Sequence, residues 1–533
     1  MEKQTVKSRE NREADHGRAG RAKNGHPCKP NIVFVISAVI SLAIAIWGIV
    51  GSSSFTGAVN GMMTALETDC EGLYLYGMTF FVLFAVVLAA SPYGRVKLGP
   101  DDGKPEHGRI SWFAMLFAAG MGIGLVFWGV AEPLSHYVAP MAGIAPMSEE
   151  SARFSMRSCF MHWGLHPWAC YAIVGLALAF FQFRRGKPAL TSTTVEPIIG
   201  RQAYRALGKG IDIYTTVLTV IGVATSFGMG TLQLSSGLNY LFGIPNGIPT
   251  WVVLVVVVTC IFLWSSVSGV NKGIKVLSDI NLVLFFGLMA IAFFVGSRAD
   301  IVSALLCGVA DYIVNFFPDA FRMNSNGDAS WILSWRVFYW AWWLSWAPFV
   351  GIFIARISKG RTVREFVFGV IFVPAIVSIL WFSVMGGLAI DAATFFSASE
   401  LATIVASPQT TLFIIFSKIP LGMLLSVIAM VLLFIFFITS ADSATFVLAM
   451  LTTKGDLNPP ASRKIFWGAT EALMALALVL SGGVSVIQTV AIVVAFPFFF
   501  IMLLMCASIV KALHEDRRAG MTCKTSEAPA DHT

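Results

Sequence analysis

Apolar residues in this chain run in blocks about as long as a bilayer is thick, not in the one-sided stripes of a soluble helix. About twelve such blocks, each of roughly 20 residues or more, predict membrane-spanning helices. They lie near 32–51, 71–91, 110–131, 152–182, 211–241, 249–267, 273–297, 333–356, 365–388, 421–452, 464–482 and 485–512. The first 30 residues are polar and carry eight Lys or Arg. The apolar block behind them is too long for a signal h-region and lacks a small-residue cleavage site, so it reads as an uncleaved first span. Basic residues fall in alternate connections: Arg95, Lys97, Lys104 and Arg109; Arg184, Arg185 and Lys187; Lys272 and Lys275; Arg356, Lys359 and Arg361; Lys454, Arg463 and Lys464; Arg517 and Arg518. The other connections, such as 132–150 and 242–250, are nearly bare of them. This bias predicts both termini in the cytoplasm and an even number of spans. Segment 298–332 carries both signs and predicts an amphipathic helix at the outer surface, and 395–420 reads similarly.

Composition agrees with lipid as the main solvent. Hydrophobic residues make up 56% of the chain and charged ones 13%, against roughly 25% charged in a soluble domain. Mean hydropathy is +0.75. The net charge of +7 sits in loops and tails, which gives no basic surface for nucleic acid. The eight cysteines show no metal-finger spacing and read as small core residues.

The chemistry lies where the blocks are interrupted. Block 333–356 contains Tyr339-Trp340-Ala341-Trp342-Trp343-Leu344-Ser345-Trp346. On a helix, Tyr339, Trp342, Trp343 and Trp346 fall within an arc of about 100°. Such a stripe is either an interfacial aromatic belt with bundle packing or a stack of electron-rich faces for a quaternary ammonium cation. Block 152–182 supplies His162, Trp163, His166, Trp168 and Tyr171, its aromatics within about 140°. The two histidines have i,i+4 metal spacing but no acidic third ligand nearby in sequence. Block 110–131 holds Ala118-Ala119-Gly120-Met121-Gly122-Ile123-Gly124. These glycines serve either close helix packing or a helix break lining a cavity, where freed carbonyls hold a cation. A dinucleotide fingerprint fails because Leu125 occupies its last glycine position. Block 421–452 carries Phe436-Phe437-Ile438-Thr439-Ser440-Ala441-Asp442-Ser443, whose hydroxyls suit a hard cation such as Na⁺. Alternatively those hydroxyls bond their own backbone and Asp442 pairs near Lys454. No nucleophile elbow, phosphate loop or zincin motif is present, which argues against an enzyme.

Together these motifs resemble the betaine/choline/carnitine transporter family along residues 30 to 512: the 120–124 glycines followed by Glu132-Pro133; His162-Trp163-Gly164-Leu165-His166; Trp340-Ala341-Trp342-Trp343 with Trp346, Pro348 and Phe349; and Thr439 to Ser443. The resemblance implies an all-α integral membrane fold of twelve transmembrane helices. It implies LeuT-type inverted five-helix repeats over spans 3–7 and 8–12, assembled as a homotrimer in the cell inner (plasma) membrane. The domain division is then a basic tail at 1–31, two peripheral spans at 32–91, repeats at 110–297 and 333–512 around the outer segment 298–332, and a short tail at 513–533.

The resemblance also implies roles. An aromatic substrate box maps onto Trp163, Trp168, Tyr171 and Trp343, with Trp342 on the outer access path, Trp346 and Phe349 on the inner one, and Met121 at the substrate. A sodium site maps onto the backbone of Ala118 and Met121 with Phe436, Thr439 and Ser440 opposite. A second sodium position maps onto Thr219 and Phe349, although Val223 stands where a second threonine would be. Gly120, Gly122 and Gly124 form the unwound, gating stretch. Proton-coupled choline members carry Asp at the last glycine, and sodium-independent carnitine exchangers lose the glycine pattern. The expectation is therefore a sodium symporter of a betaine-type solute in lipid, with no cofactor beyond the coupling ion. Proton-coupled choline uptake and carnitine/betaine exchange are the alternatives on the same fold.

Overall fold

The computed structural model describes residues 31–67, 71–120, 122–268, 271–323 and 328–526. Among them there is no β-strand, only an isolated bridge between Lys97 and Thr362. The helices are α1 (Ile32–Val50), α2 (Ser52–Glu67), α3 (Glu71–Ala90), α4 (Arg109–Gly120), α5 (Ile123–Val138), α6 (Glu149–Trp163), α7 (Leu165–Ala179), α8 (Thr191–Phe242), α9 (Ile248–Ser268) and α10 (Asn271–Val295). They continue as α11 (Arg298–Val314), α12 (Phe316–Ala320), α13 (Ala329–Trp331), α14 (Phe338–Ile357), α15 (Val363–Ala392), α16 (Ala398–Val405), α17 (Pro408–Phe416), α18 (Gly422–Leu451), α19 (Ala461–Leu480) and α20 (Gly483–Ser526).

Ten stretches of the described chain are long and apolar enough to cross a membrane. Two expected spans fall outside that set for physical reasons. Block 110–131 is split between α4 and α5, each too short alone. Helix α19 carries Arg463, Lys464 and Glu471. The expected blocks also differ in their interiors. Gly164 separates α6 from α7 with φ −88 and ψ −121, and a Cβ there would lie 2.3 Å from the Phe160 carbonyl oxygen. Gly200, at φ 80, kinks α8, a conformation that only glycine adopts at no cost. The short helix α2 follows α1 directly, an element the hydropathy pattern leaves out.

Burial sorts the helices by depth in the bundle. In their most apolar windows α9 and α10 are 22% buried and α1 is 33% buried, so these turn most of their surface outward. The most apolar windows of the stretches 149–184, 191–242 and 329–357 are 94–100% buried and make the centre. Outside the bundle lie α11, packed on α15 and α6, and α16 and α17, packed on α5. Ser297 caps α11 and capping boxes start α15 (Thr362 with Glu365) and α16 (Ser397 with Glu400). These caps fix where each helix begins. Of the segment expected to be amphipathic, Arg298–Val314 is a helix, with Ile301, Gly308 and Tyr312 buried on its inner side.

Candidate functional site

The site is built where α5, α6, α7, α8, α14 and α18 meet. A π-helical turn at Ile332–Val337 runs into α14, whose aromatic residues are almost wholly buried. Trp342 and Trp343 stack at 4.9 Å and 14°. Trp163, the last residue of α6, meets Trp343 edge to face at 4.9 Å. Tyr171 lies 6.2 Å from Trp343, also edge on, and Trp168 lies 5.7 Å from Tyr171. The four rings expected to form the substrate box are therefore one connected group, joined by Phe382 of α15 at 5.2 Å from Trp163. The Tyr171 hydroxyl is buried with no hydrogen-bond partner among the described residues.

Polar tips hold the rings. Trp343 Nε1 donates to His162 O at 2.9 Å, Trp342 Nε1 to Ser226 Oγ at 3.2 Å, and Trp346 Nε1 to Gly222 O at 2.7 Å. With these three indole N–H groups bonded to protein, the apolar faces are what these rings offer a ligand.

Gly124 has a steric role. It lies inside α5, not in an unwound stretch, and a Cβ there would come 2.6 Å from Trp342 Cη2 and 3.0 Å from Trp163 Cη2. The break itself is narrower than expected. Gly120 closes α4, and Gly122 is extended at φ −157, ψ −150. Met121 lies outside the described residues, so its expected substrate and sodium contacts do too. Ala118 lies in the last turns of α4.

Opposite the break stands α18. Ser440 Oγ would be 3.5 Å from a Cβ on Gly122. A cavity of about 580 Å³ is lined by Phe436, Thr439, Ser440 and Ser443 of α18, by Phe349 of α14, and by His107, Ser111 and Asp279. Its rim at His107 and Asp279 adjoins the basic connections 95–109 and 272–275. Phe349, which lines the cavity, meets Trp346 edge on at 5.5 Å.

The Thr439 hydroxyl lies 3.0 Å from Ile435 O and 3.3 Å from Phe436 O. That back-bonding uses its proton and leaves oxygen lone pairs for a cation. Asp442 turns elsewhere. It interacts with Ser266 and Lys464 rather than with Lys454 or the cavity. Thr219 is fully buried and donates to Thr215 O at 2.7 Å; it is not among the cavity-lining side chains. Val223 beside it is also buried.

The histidine pair does not act as a pair, because Gly164 divides its helix. His166 stacks on Trp340 at 4.7 Å and 26°. His162 instead meets an acid the sequence spacing did not suggest. Glu132 of α5, fully buried, accepts from His162 Nδ1 and from Trp163 Nε1, each at 2.7 Å, and from the Tyr339 hydroxyl. His136 Nε2 lies 3.4 Å from the same carboxylate. Glu132, His136 and His162 bring metal-capable atoms within 4.8 Å of one another, but N–H and O–H donors already occupy the carboxylate. An ionised carboxylate accepts about four such bonds, so this donor set fits a carboxylate hub better than a cation site. In the sequence Glu132 falls just past the apolar block 110–131, so its depth in the bundle was not legible there.

The family model described as BCCT, betaine/carnitine/choline family transporter, matches residues 32–518. The glycine betaine transporter OpuD of Bacillus subtilis (strain 168) is 46% identical over 491 residues, covering 91% of this chain and 95% of its own length. A probable glycine betaine transporter of Desulfitobacterium hafniense (strain Y51) is 42% identical, covering 92% and 98%. An ectoine/hydroxyectoine transporter of Virgibacillus pantothenticus is 38% identical, covering 92% and 97%.

Proposed function

From the premise that this chain belongs to the betaine/carnitine/choline family of transporters, and so is a multi-pass membrane transporter and not an enzyme, we propose that it imports a betaine-type quaternary ammonium solute, foremost glycine betaine, by sodium symport. The observation that carries this reading is the ring group of Trp163, Trp168, Tyr171 and Trp343, contributed by three helices with the Trp163 and Trp343 N–H groups turned into protein. Its faces suit a methylated cation, where a desolvated cation–π contact gives about 2 kcal/mol or more. The free Tyr171 hydroxyl is a donor suited to the solute's carboxylate.

Sodium coupling is supported by the neighbourhood of the helix break. Ser440 brings its hydroxyl oxygen to the side of Gly122 with Thr439 next to it on α18, and a break between two half-helices is the kind of place where backbone carbonyls can turn to a cation. Hard oxygen ligands of this kind suit Na⁺. Proton-coupled choline transport is less well supported, because Gly124 leaves no room for an acid against Trp342 and Trp163.

The cavity between Phe349 and the basic connections is the inner vestibule of this scheme. Basic loops then face the cytoplasm, both termini lie there, and the protein works as a homotrimer in the plasma membrane. Spans 3–7 and 8–12 act as two inverted repeats that rock about the ring group.

The driving force suffices. A sodium ion gains about 2.3 kcal/mol from 100 mV and ~1.4 kcal/mol from a tenfold gradient. Two ions give about 7.4 kcal/mol, roughly 10⁵-fold accumulation of a neutral zwitterion, and one ion gives only ~10²–10³-fold. The test is uptake of labelled glycine betaine, choline, carnitine and ectoine into proteoliposomes under sodium or proton gradients. Betaine accumulation that requires inward sodium supports the reading. Full uptake under a proton gradient without sodium, or exchange without either, overturns it.

A further inference from the structure

Glu132 is more than a residue whose charge happens to be satisfied. We propose that it is the positioning and polarising residue of the onium pocket: its carboxylate holds the Trp163 ring and the neighbouring Tyr339 ring in place and makes the Trp163 face a better host for a cation. This rests on the ring group being the onium site. The carboxylate bonds Trp163 Nε1 at 2.7 Å and the Tyr339 hydroxyl on one oxygen, and His162 Nδ1 at 2.7 Å on the other. His162 in turn stacks on Tyr339 at 4.7 Å and 20° and accepts the Trp343 N–H on its backbone oxygen at 2.9 Å. One buried group thereby fixes two rings directly and a third through its histidine. Helix α5 thus gives the rings both their lateral anchor, Glu132, and the bare surface at Gly124 against which they rest.

The second half of the inference is electronic. An N–H or O–H that donates to an anion is polarised in a low-dielectric interior. Electron density moves into the indole and phenol rings, and their faces become more negative. A cation over such a face is held more strongly. The carboxylate's own field also acts across the ring, where no water screens it. A hub that only filled a polar vacancy would hold the rings just as well but would not favour a cationic headgroup over an uncharged one of equal shape.

The shape-matched pair that separates the two roles is glycine betaine and 3,3-dimethylbutanoate, in which carbon replaces the ammonium nitrogen. Binding of both is measured on the purified full chain at saturating sodium, with 3,3-dimethylbutanoate read by competition, in wild type, Glu132→Gln and Glu132→Asp. The expected result is that Glu132→Gln lowers the preference for betaine over the carbon analogue by at least about tenfold, because the charge goes while the volume stays. Glu132→Asp keeps the charge and is expected to bind both ligands less tightly while holding the preference within about threefold. An unchanged preference in folded Glu132→Gln, with both ligands weakened alike or not at all, overturns the polarising role. If Glu132→Gln does not fold, Glu132→Asp decides: loss of the preference there, with the charge present, overturns it as well. Wild-type protein that binds neither ligand, or does not prefer betaine, overturns instead the onium-pocket reading beneath it.

Discussion

Replacing Gly124 with alanine sets two physical effects against each other, and the structure says which should win. If this glycine served only to loosen α5, a methyl group would help, since Ala is favoured over Gly in a helix by about 1 kcal/mol. The geometry predicts the opposite. The new Cβ would lie 2.6 and 3.2 Å from Trp342 Cη2 and Cζ2, and 3.0 Å from Trp163 Cη2. Carbon atoms prefer about 3.5–4.0 Å, so the overlap is roughly 1 Å. Neither ring can yield easily. Trp342 is stacked between Phe338 at 5.6 Å and Trp343 at 4.9 Å, and Trp163 is held by its 2.7 Å bond to Glu132. Overpacking of this kind costs about 1–3 kcal/mol, which offsets or exceeds the helix gain. A displaced ring also forfeits a cation–π contact of about 2 kcal/mol, equivalent to a roughly thirtyfold rise in Kd for betaine. The assay is betaine binding to purified protein by intrinsic tryptophan fluorescence at saturating sodium, with thermal stability in the same detergent. Gly122→Ala is the internal control, because among the described residues its Cβ meets only Ser440 Oγ at 3.5 Å and at saturating sodium it should leave betaine affinity nearly intact. A Gly124→Ala protein that is more stable than wild type and binds betaine equally well refutes the steric argument.

Three further outcomes are expected. Trp163→Ala, Trp168→Ala and Trp343→Ala should each raise the betaine Kd about thirtyfold or more, with Phe keeping part of the affinity; normal affinity in all three folded variants removes the ring group as the site. Thr439→Ala with Ser440→Ala should raise the sodium concentration for half-maximal uptake more than about tenfold, while betaine binding at saturating sodium suffers less; unchanged sodium dependence places the ion elsewhere. Reversal potentials in proteoliposomes should report the sodium stoichiometry: Thr219 offers a hydroxyl but Val223 none, so a one-ion value would reject the second position, and Val223→Thr then tests whether an added oxygen restores it.

The membrane class was legible because it depends on composition and block length, which are local. So was the ring group, because four aromatic residues on one helical face have few uses and the second set sits in another buried block. What the pattern obscured came from helices that stop and restart. A hydropathy window runs across Gly164, where the backbone turns, and so it presented His162 and His166 as one face. In the structure one histidine joins Glu132 and the other stacks on Trp340. The same window merged α4 with α5, hiding that the first ends at Gly120 and that Gly124 is already inside the second.

Glu132 entered the sequence reading only as part of the Glu132-Pro133 motif, with no role attached. The sequence shows an acid before Pro133 near the end of an apolar block, which reads as a helix-end charge as readily as a site. Nothing local says that its partners come from α6 and α14, 30 and 207 positions away. Burial decides the matter. An unpaired carboxylate at that depth would cost several kcal/mol, so its position requires donors, and the donors nearest it are the pocket's own indole and phenol groups. Recognition and charge burial thus solve each other: the rings need anchors that leave their faces free, and the carboxylate needs N–H and O–H groups. A substitution at either end should therefore be felt at the other, and alanine scans of the rings will overstate each ring's direct contact with ligand wherever they also strip a donor from Glu132.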